Sequence, residues 1–206
     1  MPYFIIKNNL FENSEFAYGE QREMNYQTGV AKVCETCGAF LSMLEWLPPL
    51  EINVSKRKLG DFIYGTYVGF IVSKKVKDKI DNSDFNGLTN FREVKLYYKN
   101  RLLNEVYYYP EIEQINAFVD LSYIEFEEKD LCNTCQKGKS IINKINAIVF
   151  ESPNQISSDV FYTTAIGQAV IIVSDYCSVF FEKEKFTNIE FLDASKFKWD
   201  CFNPTY

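Results

Sequence analysis

No histidine occurs in the 206 residues. This removes the commonest general base and the commonest nitrogen ligand for metals. A metal site in this chain has to be built from thiolates or carboxylates, and an enzyme would have to work without imidazole. Cations are also in short supply: 22 lysines and arginines stand against 28 aspartates and glutamates, a net charge of −6. A phosphate-binding surface needs clustered lysine and arginine, so nucleic acid is not the expected partner. A basic protein surface suits this charge better. There is no P-loop, GxGxxG or GxSxG motif. No apolar run approaches the roughly 20 residues of a membrane span. The longest, around Val68–Val72 and Ala169–Val173, are strand-sized. The opening segment MPYFIIKNNLFENSEF lacks a basic start and a small-residue cleavage site. The expectation is a cytoplasmic protein without a membrane segment, its cysteines reduced.

What is present is apolar and aromatic. Hydrophobic residues make up 47% of the chain and aromatics 17%, enough for a core that needs no disulfides. Against that background two short motifs stand out, KVCETCGAF at 32–40 and DLCNTCQKG at 130–138. A CxxC turn places two sulfurs on one edge of a zinc tetrahedron, and two such turns supply all four ligands. Gly38, directly after Cys37, tolerates the positive φ that such a knuckle needs, whereas the second knuckle has Gln136 there. The 94 residues between the pairs exceed the spacing of a compact zinc ribbon. Three readings are open: one structural Zn2+ bound by Cys34, Cys37, Cys132 and Cys135, a redox pair in each motif, or knuckles without metal. A four-thiolate site would be closed and would leave no position for catalysis. Cys177 and Cys201 stand apart, and both are expected to pack as small hydrophobes.

An internal repeat bears on the choice. Cys34 and Cys37 recur as Cys132 and Cys135 at an offset of 98. DFIY at Asp61–Tyr64 recurs as DVFY at Asp159–Tyr162, and LTN at 88–90 as FTN at 186–188, both also offset by 98. FIVS at Phe70–Ser73 recurs as IIVS at Ile171–Ser174, offset by 101. Equivalent knuckles in two related halves can meet on a pseudo-twofold axis. Each half reads as a knuckle, an Asp turn, an apolar strand ending in Val-Ser, a helix capped by that serine, and a closing strand. The helix pattern places Val76 and Ile80 on one face in the first half, and Tyr176 and Phe180 in the second. Asp61 and Asp159 fit turn or capping roles better than a catalytic carboxylate pair. The expected fold is α+β: two related strand–helix–strand halves, 34–94 and 132–192, joined by the four-cysteine zinc site in one domain over 1–206.

The connecting segment, 95–131, is expected to be β-rich. Lys95–Tyr98 and Glu105–Tyr109 are read as a hairpin across KNRLLN, and Phe118–Phe126 as a further strand. From Glu111 to Asp130 acidic residues outnumber Lys129, the lone cation. Such a run is either a solvated face or part of a docking surface for a basic partner.

The pattern of a CxxCG knuckle, a long middle, a second CxxC and then SSDVFYTTAIGQAVIIVSDYCSVFFEKEKFTNIEFLDA resembles the bacterial double-CxxCG motif family. Its members are cognate immunity proteins of contact-delivered or polymorphic toxin systems. The resemblance spans about Cys34 to Ala194, loosely in the middle, and departs at Gln136. It implies a non-enzymatic protein that binds and neutralises one toxin by occlusion. The alternative is a zinc-ribbon adaptor or regulator that binds another protein. On the immunity reading, Glu111, Glu113, Glu125, Glu127 and Glu128 are candidate rim carboxylates that speed association with a basic toxin. Tyr107, Tyr108 and Tyr109 are candidate buried anchors.

Overall fold

Short β-branched and aromatic runs become strands, and the two Val-Ser junctions become helix starts. The computed structural model describes residues 2–7, 15–22, 27–42, 44–66 and 69–202. In chain order the strands and helices are β1 (Tyr3–Lys7), β2 (Gly19–Gln21), β3 (Glu51–Val54), β4 (Phe62–Tyr64), β5 (Phe70–Ser73), α1 (Lys74–Asp81), β6 (Leu88–Tyr98), β7 (Arg101–Leu102) and β8 (Tyr107–Ile115). They continue with β9 (Ile124–Glu128), β10 (Ile141–Ile145), β11 (Val160–Thr163), β12 (Gly167–Ser174), α2 (Asp175–Lys183), β13 (Glu190–Asp193) and β14 (Trp199–Asp200). The described residues are mostly sheet with two α-helices, an α+β arrangement. Eleven strands form one sheet with the path β13-β1-β12-β11-β8-β6-β3-β2, and β14-β10-β9 form a second.

Strand β8 organises the large sheet. One edge pairs antiparallel with β6, through Leu88↔Ile112 to Val94↔Tyr107. The start of β8 also pairs antiparallel with β5, Ser73 opposite Tyr107. Its end runs parallel to β11, Gln114 opposite Tyr162. Strand β1 has the corresponding place elsewhere: it lies antiparallel between β12, with Tyr3 opposite Ser174, and β13. The strand preceding each helix and the strand following it are therefore separated by a third strand from outside the strand–helix–strand unit. β8 comes after α1 in sequence, and β1 comes before α2.

The helices begin as their caps dictate. Ser73 and Ser174 have extended backbone, and their hydroxyls accept from the N–H groups of Val76 (3.4 Å) and Cys177 (3.1 Å). Helix α1 buries Val76 and Ile80. Helix α2 buries Cys177 and Phe181, which lie three and seven residues past the cap like Val76 and Ile80. The expected Tyr176–Phe180 face is corrected by one residue, since Tyr176 is exposed and Phe180 only half-buried. The cap sets helix rotation against the sheet, and aromatic content does not. Cys177 is fully buried, as expected of a small hydrophobe.

Asp61 and Asp159 tie these junctions together. Asp61 accepts from the Ser73 hydroxyl at 2.8 Å and from the Thr187 N–H at 2.9 Å, beyond α2. Asp159 accepts from the Ser174 hydroxyl at 2.6 Å and from the Asn86 N–H at 3.1 Å, beyond α1. Each carboxylate thus anchors its own cap serine and the turn that follows the other helix. Burial opposes ionisation of Asp61. The Thr187 N–H, the Ser73 hydroxyl and the Lys75 ammonium outweigh it and hold the carboxyl below the usual range.

Three apolar clusters fill the layers. Under the helices, Phe62, Phe70, Val76, Val173, Cys177 and Phe181 pack with neighbours on β4, β5, β11 and β12. Behind β12, Tyr3, Ile5, Phe161 and Ile172 meet Ile124, Ile145 and Phe197 around the small sheet. Trp46, Ile52, Ile63, Ile71, Leu96, Tyr107 and Tyr109 form the third.

Two expectations for the middle segment are corrected. The chain turns at Lys99–Asn100, both with positive φ (48° and 64°), so β7 folds straight back on the end of β6. Positive φ at both central residues makes the tight turn whose twist suits a hairpin. β8 then pairs farther back along β6, rather than closing a hairpin with Lys95–Tyr98. Phe118–Phe126 is not one strand either. The Asp120 carboxylate accepts from the Ser122 N–H (3.0 Å) and caps a 3-10 turn, and β9 starts only at Ile124.

Candidate metal centre

The first knuckle is the tip of an arm, residues 28–46, closed at its base by a Thr28–Trp46 bridge and near its tip by a Val33–Phe40 bridge. The Cys34 N–H donates to the Ala39 carbonyl (2.9 Å) and the Gly38 N–H to the Cys34 carbonyl (2.7 Å). The second knuckle repeats this turn, with the Gln136 N–H on the Cys132 carbonyl at 2.8 Å. Gly38 and Gln136 share the left-handed region, at φ 71° and 57°. Gln136 is held there by its side-chain amide, which accepts from the Val119 N–H (3.0 Å) and donates to the Val119 carbonyl (3.3 Å). Two backbone-directed hydrogen bonds replace the conformational freedom of glycine.

The two tips meet. The Sγ atoms of Cys34, Cys37, Cys132 and Cys135 all lie within 4.8 Å of one another. Cys34 faces Cys132 at 3.9 Å and Cys37 faces Cys135 at 3.8 Å. Between them the hydroxyls of Thr36 and Thr134 touch at 3.0 Å. All three contacts join residues 98 apart. These sulfur separations are nearly twice the ~2.05 Å of a disulfide, and all six cysteines are free thiols. Four soft donors facing one point are compatible with a metal site.

Backbone N–H groups aim at the sulfurs. Those of Thr134 and Cys135 bring the Cys132 thiol down to about 6. Those of Cys37 and Thr36 lower Cys34. The Ala39 N–H pulls Cys37 the same way, but burial and three neighbouring thiols push it up to about 11. Crowded thiols cannot all ionise unless a cation compensates the charge.

The second knuckle is bolted to the sheet. Thr164 donates to the Cys135 carbonyl (3.0 Å), and the Asn116 amide to the Thr134 carbonyl (2.8 Å). Lys137 reaches across to the Phe40 carbonyl of the arm at 2.8 Å. Asn116 and Thr164 escaped the sequence reading, since nothing near them in sequence marks the contact. Thr36 and Thr134 carried a visible signal, since both motifs read C-x-T-C.

The other candidate residues are placed elsewhere. Tyr107 and Tyr109 are buried in the third cluster, Tyr107 donating to the Gly60 carbonyl at 2.6 Å and Tyr109 packing edge-on against Trp46. Their role as partner anchors is therefore corrected, because a strand interior needs those rings for its own core. Tyr108 is half-buried. Glu111 and Glu113 are exposed on β8 of the large sheet, whereas Glu125, Glu127 and Glu128 are exposed on β9 of the small one. Glu125 is occupied by Asn146 (2.9 Å) and Lys144 (3.6 Å). Cys201 is exposed rather than packed, because it lies in a turn just past β14.

No helix among the described residues is long and apolar enough to cross a membrane. In comparison with known proteins, no family model matches the chain, and no curated protein matches it in sequence.

Proposed function

We propose that Cys34, Cys37, Cys132 and Cys135 hold one structural zinc ion, and that the protein is a non-enzymatic immunity protein that neutralises a cognate toxin by occlusion. The carrying observation is the meeting of both CxxC motifs at one point, because that pair of motifs is part of the resemblance to the double-CxxCG family, beside the C-terminal pattern. A tetrahedron of sulfurs about 2.3 Å from a central zinc has edges of about 3.8 Å. The Cys34–Cys132 and Cys37–Cys135 separations of 3.9 and 3.8 Å match two of its six edges, and all four sulfurs lie within 4.8 Å of one another. A closed four-thiolate site has no open coordination position, which supports a structural role.

The same contacts support an origin by duplication of the units at 34–94 and 132–192. Ser73 and Ser174 both cap helices, Asp61 and Asp159 both hold those serines, and Asn90 and Asn188 share positive φ at 46° and 59°.

Metal analysis of purified protein tests the first part, and about one zinc per chain is expected. Two independent ions, or none in protein purified without chelator, would count against it. Co-expression with the product of the neighbouring gene tests the second, a toxin domain being the expected product. Rescue of growth together with a complex is expected, and failure of both would remove the immunity reading.

A further inference from the structure

Between the arm and the edge formed by β6 and β8 runs a cleft of about 850 Å³. Val30 and Leu44 of the arm line one wall, and Glu111, Glu113 and Gln114 of β8 line the other. Three observations about it converge.

The first is unpaired polarity. The Tyr162 hydroxyl, Gln114 Oε1 and Arg92 Nε are buried without a hydrogen-bond partner, and all three residues line this cleft. Tyr162 is only 4% exposed, and it stands opposite Gln114 in the parallel β8–β11 register. Leaving such a group unpaired is unfavourable, so three in one cleft call for an explanation. Together they offer a hydroxyl, an acceptor and an N–H donor, a set that complements the N–H and C=O groups of an extended peptide.

The second is charge. Arg92 is engaged by Glu45 at 3.1 Å. Among the described residues no lysine or arginine lies within ion-pairing distance of Glu111 or Glu113, and Glu111 receives only the Asn90 amide at 3.3 Å. The β8 wall therefore offers two carboxylates that no cation among the described residues pairs, in a cleft that Lys32 of the arm also lines.

The third is apolar surface. Among the described residues eleven large hydrophobics are exposed, and the short arm carries four of them: Val30 and Leu44 in the cleft, 86 and 40% exposed, and Val33 and Phe40 nearer the tip, 49 and 60% exposed. Exposed apolar side chains gathered in this way mark contact surfaces.

We infer that this cleft and the apolar side of the arm form the docking site for an extended, basic segment of the partner protein. Its backbone pairs with Tyr162 and Gln114, its lysine or arginine meets Glu111 and Glu113, and its apolar side chains cover Val30 and Phe40. The inference rests on the immunity reading for the identity of that partner, and it moves the interface away from the acidic strand β9. The four-cysteine site then has a second consequence, since it fixes the wall of the cleft.

The test uses the full chain, purified with zinc present, and the product of the neighbouring gene in calorimetry. Glu111→Lys with Glu113→Lys, and separately Val30→Ser with Phe40→Ser, are expected to weaken binding about tenfold or more. Tyr162→Phe is the sharper variant. Removing an unpartnered buried hydroxyl leaves the free fold as stable or more so, yet it should lower affinity several-fold. Glu125→Lys with Glu127→Lys serves as the control and should leave affinity within about twofold. If the wild-type chain binds and all three cleft variants bind equally well, the cleft is not the interface, although the immunity reading stands. If the wild-type chain neither binds nor rescues, the immunity reading fails. The cleft is then judged by nuclear magnetic resonance titration with extended hexapeptides that pair arginine with leucine. Shifts at Val30, Glu111, Glu113 and Gln114 that vanish in the Glu111→Lys, Glu113→Lys variant support the site. No shifts up to millimolar peptide overturn it.

Discussion

Removing the metal should release the arm before it unfolds the protein. Without coordination, what joins the arm tip to the second knuckle is the Thr36–Thr134 hydroxyl pair at 3.0 Å and the Lys137–Phe40 contact at 2.8 Å. Two exposed hydrogen bonds of this kind contribute about 1–3 kcal/mol together. Four thiolates on the proposed zinc would contribute on the order of 10 kcal/mol, so on that reading the metal dominates the tip. The arm's base is held differently, by Trp46 buried in the third cluster and by the Arg92–Glu45 pair. The remaining core lies outside the knuckles in three clusters. Chelation, or Cys34→Ser, is therefore expected to open residues 30–44 locally as one cooperative unit. Hydrogen exchange read by mass spectrometry checks this. The amides of Cys34, Gly38 and Leu41, bonded to Ala39, Cys34 and Lys32 in the closed arm, should lose protection, while those of β11 and β12 keep theirs. Continued arm protection after verified metal loss would refute the reasoning, as would simultaneous loss of protection throughout the chain.

Three further outcomes test the fold. Asp61→Asn should cost about 1–3 kcal/mol at neutral pH by weakening charge-assisted hydrogen bonds. Because the Asp61 pKa is lowered on folding, its contribution is present above the unfolded value near 3.9 and is lost as pH falls through the folded value. Denaturant midpoints measured across acidic pH should therefore slope less steeply in Asp61→Asn. Gly87→Ala should destabilise by at least about 1–3 kcal/mol, since φ is 102° there and a Cβ would overlap the Val160 carbonyl; a midpoint equal to wild type would contradict that packing. Phe181→Ala, which removes a ring packed against Phe62, Phe85 and Phe186, should cost about 3–5 kcal/mol in thermal or denaturant unfolding.

Local features were legible wherever residue type and spacing act over a few positions. A serine at the end of an apolar strand caps the next turn whatever surrounds it, so both helix starts could be read directly. The aspartates 27 positions after the first cysteine of each unit, Asp61 and Asp159, were recognisable as turn residues. That each carboxylate also holds the turn beyond the other helix was hidden, because those partners lie 126 and 73 residues away. The buried face of α2 was misread because Tyr176 and Phe180 are aromatics at the four-residue spacing, whereas rotation set by the Ser174 cap turns Cys177 and Phe181 inward.

The sequence by itself determined the chemistry of the four-cysteine centre: two CxxC turns, no histidine to compete as ligand, and a shared offset of 98 that pairs the motifs. Those are properties of side-chain identity and short-range backbone geometry, and they survive translation into any fold. Only the tertiary structure decided that β1 lies between β12 and β13 while β8 lies between β5 and β6. It likewise decided that Tyr107 and Tyr109 face inward while Glu111 and Glu113 line a cleft beside the arm. Strand neighbours are joined by backbone hydrogen bonds, which every residue except proline can make on both sides. The order of strands therefore leaves little trace in side-chain pattern, and it emerges only when distant apolar faces compete for the same core.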